Sequence, residues 1–381
     1  VVNKRAGEPQ KLIVLLTIII GKKMTNTELK KHCAKITLNP FASASYSLGT
    51  ISFVMIALLL VQVAMLAVSK SFDSLVVLLF ALLASVCAEA AFYFFKRTEK
   101  HTWRISVIQG LIAGLLIPSV YPVYAVFAVV FFTLLLGKFV FGNFDSSWAN
   151  LVALCIVVLY FLNPSAFPPF AVSAQELQTR NAALSLIQNG TVPLLELDSS
   201  ITDFLNSYIF KFFGISIPDG YVSLFWDNGS VIPAFRFNFI TLVSSIILVS
   251  FDMVDYVVPA VFLFVYSFLV RFLLPFFIGG IPFQGDILLA LLTSGTLFCT
   301  LYLLQWYGTL PMTLWGKILY GAFAGLIGFL IIGSGTSSAG YVFLILVINL
   351  ISPVIQFFED KKLYENVSKK LVPRLREISE V

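Results

Sequence analysis

Apolar stretches of about 20 residues recur along this chain, separated by short breaks that are polar or marked by proline and glycine. A run of that length is what an α-helix needs to cross the hydrocarbon core of a bilayer. Strands of a membrane barrel would alternate apolar and polar positions over segments of about ten residues instead. The pattern predicts ten spans, near 49–69, 72–95, 105–120, 122–141, 147–163, 237–252, 255–275, 285–307, 316–333 and 338–357. "IPSVYP" at 117–122 and "FFIGGIPFQGD" at 276–286 carry the turn chemistry between neighbouring spans. One long hydrophilic insert, 164–236, separates the fifth span from the sixth.

The expected fold is an all-α polytopic membrane protein of about ten transmembrane helices in two five-helix halves. The expected organisation is an N-terminal segment (1–48), a first half (49–163), the insert (164–236), a second half (237–357) and a charged tail (358–381).

Composition agrees. The chain is 59% hydrophobic and 12% charged, where a soluble domain of this length carries about a quarter charged residues. The net charge of +5 follows from topology and does not point to nucleic acid. With the N-terminus in the cytoplasm and ten spans threaded, twenty lysines and arginines fall on the cytoplasmic side and five on the other. Positive charge collects inside. Both termini are therefore expected in the cytoplasm, with the insert outside. The short "FKRTEKHTWR" loop at 95–104 points the same way.

At the start of the chain, "KLIVLLTIII" (11–20) is too short to span and no small-residue cleavage site follows it. Gly21-Lys22-Lys23 before Met24 reads as a translated ribosome-binding site, so Met24 rather than Val1 is the expected start; a signal peptide is the alternative.

Candidate chemistry is sparse. Cys33, Cys87, Cys155 and Cys299 have no metal-ligand spacing, and the expected role is that of small buried hydrophobes. His32 and His101 lie in basic segments, so no metal site is expected. There is no nucleophile–His–acid set, no P-loop and no Gly-x-Gly-x-x-Gly ahead of a helix, hence no expected catalytic residue and no NADH site. Glu89 lies inside the second span, where an acid either faces a pathway or snorkels to the surface. Asp252 and Asp255 read as caps at an inner turn, and Asp286 and Arg271 flank the outer Gly-rich turn. Within the insert, "LELDSSITDFLNSYIF" (195–210) sets hydroxyls and carboxylates against aromatics; Thr202, Asp198 or Ser199 could each cap a helix there. Phe204, Tyr208, Phe210, Phe212, Phe213 and Trp226 read as an interfacial aromatic belt, with stacking faces for a planar ring system as the alternative.

Two segments carry a resemblance. Residues 110–154 hold Leu116-Ile117-Pro118, Gly137-Lys138, Phe141-Gly142 and Asn150, with Leu151 where a proline is usual. "GKILYGAFAGLIGFLI" and "GYVFLILVINLISPVI", with Asn349 and Pro353, close the chain's apolar part. These resemble blocks of the RnfD/NqrB family, membrane subunits of ion-translocating electron-transfer complexes, and the likeness runs over about 39–357. The family's layout is ten spans with a large outer loop after the fifth.

That resemblance implies a site. The family carries an Asp-x-x-Ser-Gly-Ala-Thr motif in the outer loop, whose threonine is esterified to the phosphate of FMN. "ELDSSIT" (196–202) stands in register: Glu196 for Asp, Ser199 for Ser, Ser200 for Gly, Ile201 for Ala, Thr202 for Thr, with Asp198 between. The polar turns "DNGSVIPAFR" (227–236) and Gln305-Trp306-Tyr307 depart from the family's. The resemblance further implies a second, noncovalent flavin or riboflavin between spans and electron flow between NADH and ferredoxin coupled to Na⁺ or H⁺. Its implied partners are other membrane and peripheral subunits, a flavin transferase and the lipid bilayer. On the residues alone, a non-redox transporter or channel and a flavin-less scaffold subunit are the alternatives.

Overall fold

In the computed structural model, residues 47–96, 103–141, 149–168, 186–190, 192–279, 281–283, 285–306, 308–333 and 337–379 are described. Val1, Met24, His32, Cys33, His101, Gly142 and Tyr307 lie outside them. The chain divides into two compact units, 46–359 and 1–45 with 360–381. The helical bundle belongs to the first of these.

Every regular element among the described residues is helical. The first half holds α1 (Leu48–Val68), α2 (Phe72–Lys96), α3 (Trp103–Leu116), α4 (Val123–Val140) and α5 (Leu151–Leu162). The insert supplies α6 (Asp198–Tyr208), α7 (Tyr221–Trp226) and α8 (Pro233–Arg236). The second half holds α9 (Asn238–Ser250), α10 (Val257–Phe272), the short α11 (Leu274–Ile278), α12 (Ile287–Thr293), α13 (Thr296–Tyr302), α14 (Leu314–Ile332) and α15 (Gly340–Ser379).

The expected spans are met with informative differences. Five helices are long and apolar enough to cross a membrane: α1, α2, α4, α14 and the Gly340–Glu365 part of α15. Four more, α3, α5, α9 and α10, are apolar but shorter. The 12 residues of α5 rise only about 18 Å, so the flanking chain must complete that crossing. The helix expected over 105–120 ends at Leu116, because Pro118 disfavours helix in the residue before it and offers no N–H. The eighth span, expected as one helix over 285–307, is two seven-residue helices, α12 and α13. Gly295 makes the break with φ +65°, a left-handed conformation that glycine adopts without a Cβ penalty.

The helices are apolar on nearly every side. Leu59, Ala81, Ile112, Val130 and Phe262 are in the core, while Phe53, Phe94, Phe132 and Leu330 are exposed. That distribution suits a bundle immersed in lipid. With lipid outside, helix association depends on close packing. Gly110 and Gly114 of α3 let that helix approach α2 so closely that a Cβ there would lie 2.9 Å from Leu82 Cα and 2.7 Å from Leu78 Cα. Gly321 and Gly325 of α14 do the same against α10, where the added Cβ atoms would lie 3.0 Å from the Val258 carbonyl oxygen and 2.7 Å from Val265 Cβ. Polar links add to these contacts: Ser85 and Ser106 each donate to the other's carbonyl at 2.6 and 2.8 Å. The Gln62 amide of α1 donates to Thr241 Oγ1 of α9 at 2.7 Å, joining the two halves.

Candidate functional site

The helix α6 begins after Pro193 and a backbone turn in which Asp198 N–H donates to the Leu195 carbonyl. It runs into a short 3₁₀ turn, Phe210–Phe213, that Gly214 ends at φ +64°. None of the three residues expected as its cap performs that role, since the N-cap position is Leu197 and Thr202 sits in the second turn.

Asp198 instead caps a different helix. Its carboxylate accepts from Gly220 N at 2.7 Å, Ser223 N at 2.6 Å and Ser223 Oγ at 2.8 Å. Gly220 and Ser223 are the N-cap and third residue of α7, whose first N–H groups have no partner within their own helix and lie at the positive end of its dipole. Ser223 Oγ also accepts from Leu195 N at 3.0 Å. Two turns along α6, Asn206 brackets Ile217, donating to its carbonyl and accepting from its N–H, both at 2.8 Å. One face of α6, carrying Asp198 and Asn206, is thereby fixed to the 217–223 segment.

Thr202 lies on that same face, between the two clamps. It is 2% exposed, and its Oγ1 has no hydrogen-bond partner. Glu196, Ser199 and Ser200 are exposed. The structure thus separates the motif: its threonine points inward and its serines outward. Phe204, Tyr208 and Phe212 are exposed, and the Phe204 and Tyr208 rings lie 4.9 Å apart. Trp226 lies 5.7 Å from Phe239 of α9.

These residues fit a phosphate-linked flavin in kind. The hydroxyl has no hydrogen bond to surrender, aromatic faces stand nearby, and Lys211 is exposed just beyond the helix. As packed, the loop closes the threonine from water.

The loop is fastened to the bundle. Tyr221 donates its hydroxyl hydrogen to Asp286, whose other carboxylate oxygen caps α12 through Leu289 N at 3.0 Å. Asp286 is therefore a cap as well as a flank of the Gly-rich turn, and Arg271 reaches that turn through the Gly285 carbonyl at 3.0 Å. Arg236 grips Asp227 with two bonds, of 2.9 and 2.6 Å, and donates to Ser71 Oγ at the turn between α1 and α2 at 2.6 Å. Asn228 and Asn238 both donate to the Leu292 carbonyl at 2.8 Å, one turn before the break in the eighth span. A small core of Leu186, Val192, Tyr221, Leu224, Leu289 and Leu292 joins the loop to α12.

Elsewhere, Glu89 is neither bare to a pathway nor snorkelled: it is buried and ion-paired with Lys138 of α4. A matching pair joins Asp255, two residues before α10, to Lys317 of α14; Asp255 also accepts from Val257 N, the first N–H of α10, at 2.8 Å, although the N-cap position itself is Tyr256. Asp252 caps nothing; it occupies a left-handed position at φ +51°. Cys155 and Cys299 are buried as expected, whereas Cys87 is exposed. Among the described residues no cluster of His, Cys, Asp and Glu could hold a metal ion. Gln305 and Asn349 are buried with no partner for either amide atom.

Sequence reasoning missed the Asp198 cap, the Asp227–Arg236 grip and the partner of Glu89. For the last there was a signal, since Gly137-Lys138 and Gly316-Lys317 place a lysine beside a close-packing glycine in each half.

Compared with known proteins, residues 35–365 match the family model described as the NQR2, RnfD, RnfE family. A similar protein is a subunit of the ion-translocating oxidoreductase complex of Buchnera aphidicola subsp. Baizongia pistaciae (strain Bp). The two are 25% identical over 325 residues, which covers 77% of this chain and 88% of that protein.

Proposed function

The chain belongs to the NQR2, RnfD, RnfE family, and from that premise we propose that it is a membrane subunit of an ion-translocating oxidoreductase complex. In this reading it carries FMN as a phosphoester on Thr202, and electron flow between NADH and ferredoxin is coupled to Na⁺ or H⁺ movement. It sits in a bacterial cytoplasmic membrane with both termini inside. Its partners are membrane and peripheral subunits that supply NADH oxidation and iron–sulfur chemistry, and a flavin transferase for maturation.

The observation that carries the reading is the Thr202 hydroxyl, which is in motif register and has no hydrogen-bond partner. Orphaned buried hydroxyls are uncommon and call for an explanation. Bound flavin would supply the electron exchange that no side chain here provides. The protein's part is to hold and orient: Thr202 as the tether, Asp198 and Asn206 fixing its helix. A tether replaces the entropy cost of binding with a high effective concentration.

A second reading, a flavin-less subunit on the same fold, is favoured by the burial of Thr202 and by Ser200 and Ile201 where the family has smaller residues. The chain coexpressed with a flavin transferase should give a fluorescent band on a denaturing gel, and Thr202→Ala should abolish it. A dark wild-type band, with the transferase active on another substrate, establishes the flavin-less reading.

A further inference from the structure

The helix α6 has three distinct sides, each about a third of a turn from the next. One bonds to the loop through Asp198 and Asn206. A second is exposed and polar, with Ser199, Asp203 and Ser207. The third is exposed and apolar: Leu197, Ile201, Phe204 and Tyr208, continued by Phe212 beyond the helix. Phe204, Tyr208 and Phe212 are 56, 66 and 88% exposed. No charge interrupts the stripe within α6. A soluble loop would turn this side inward and its polar side out; here protein takes a polar side, and the largest apolar side chains face away from protein.

We propose that α6 lies flat in the outer surface of the bilayer, its apolar stripe in the acyl–headgroup boundary and Ser199, Asp203 and Ser207 toward water. Two observations select lipid as the occupant. First, the loop is tied to the outer ends of the spans, by Arg236 to Ser71 and by Tyr221 to Asp286 at the start of α12. Second, α7, which α6 grips through Asp198, places its exposed Trp226 against Phe239. Phe239 begins the exposed apolar face of α9 that continues through Leu242, Val243 and Ile246. The lipid-facing surface of a span therefore runs up to the element that α6 is fastened to. A helix with one apolar side and one polar side at that level is an interfacial helix, and aromatic rings suit that depth.

The consequence is that the candidate tether at Thr202 is held at the membrane surface, within a helix diameter of the lipid. The proposal rests on the chain spanning a membrane and not on Thr202 being modified, so the two readings fail separately.

Single cysteines at Phe204, Tyr208, Ser199 and Asp203, in a background with the four native cysteines replaced by serine, would be spin-labelled in the full chain. The protein would be held in nanodiscs of phosphatidylethanolamine and phosphatidylglycerol. Positions 204 and 208 should collide several-fold more with dissolved oxygen than with a water-soluble nickel chelate, and positions 199 and 203 the reverse. Equal nickel access at all four sites overturns the proposal. So does protection of 204 and 208 that develops only when the other subunits are added, which would assign the stripe to a protein partner.

Discussion

Glu89 and Lys138 face each other inside the bundle, where a charge that loses its partner has no water to fall back on. Replacing either one alone, as Glu89→Gln or Lys138→Met, should lower stability by about 3–5 kcal/mol. The double replacement should recover most of the loss, because the two groups are then removed together. Thermal unfolding of the four forms in detergent measures this, and additive losses would show that the two side chains act apart. Asp198 makes the complementary case in the loop. Asp198→Ala strips the partner from two N–H groups at the start of α7, at about 1–3 kcal/mol for each group left buried and unpaired. Hydrogen exchange should quicken across 198–226 and stay unchanged in α3; no local change would mean that Asp198 does not hold the loop. The sequence placed Asp198, Ser199 and Thr202 in the right loop but could not say which way each points. Periodicity assigns the apolar side of a helix to the protein, and α6 presents its polar Asp198–Thr202–Asn206 side there instead.

Among the helices, what was legible depended on whether a hydropathy window could resolve it. Long uniform runs such as Leu48–Val68 and Leu314–Ile332 were legible to within a few residues. The eighth span was not, because Ser294, Gly295 and Thr296 are small enough to leave the apolar run of 285–307 unbroken while the backbone turns at Gly295. Paired glycines four residues apart press one helix onto another in each half, Gly110 and Gly114 of α3 onto α2 and Gly321 and Gly325 of α14 onto α10. The break itself has a clean test, since Gly190 and Gly295 share a left-handed φ of +69° and +65° but differ in surroundings. A Cβ at Gly190 meets nothing within 4 Å, and one at Gly295 would overlap the Phe235 ring. Gly190→Ala should therefore cost only the backbone term, roughly 1–2 kcal/mol. Gly295→Ala should add an overpacking cost of about 1–3 kcal/mol. Melting temperatures falling in that order support the account; equal losses would mean that the ring moves aside freely.

For the molecule as a whole, the orientation proposed here follows from charge, and the structure changes which charges count. Lys138 and Lys317 lie in helices and face Glu89 and Asp255, so they are not free loop charges that hold a segment in the cytoplasm. The bias then falls on the terminal segments and on Lys96 at the end of α2, Arg97 and Lys100 after it in sequence, and Arg104 in the first turn of α3. On the opposite side, Arg236 is spent on Asp227 and Ser71, which removes a loop cation from that face as well. In the proposed orientation, the remaining asymmetry keeps the insert on the side opposite these charges. Two exposed positions read this directly: Ser200 on α6 and Met312, 88% exposed, just before α14. In spheroplasts of a strain whose copy lacks the native cysteines, Ser200→Cys should react with a membrane-impermeant maleimide. Met312→Cys should react only after lysis. The opposite result would thread every span the other way and move Thr202, with the flavin site proposed for it, to the cytoplasmic face. Reaction of both positions from outside would mean that the two ends of the bundle are not separated by the membrane, and ten crossings could not stand.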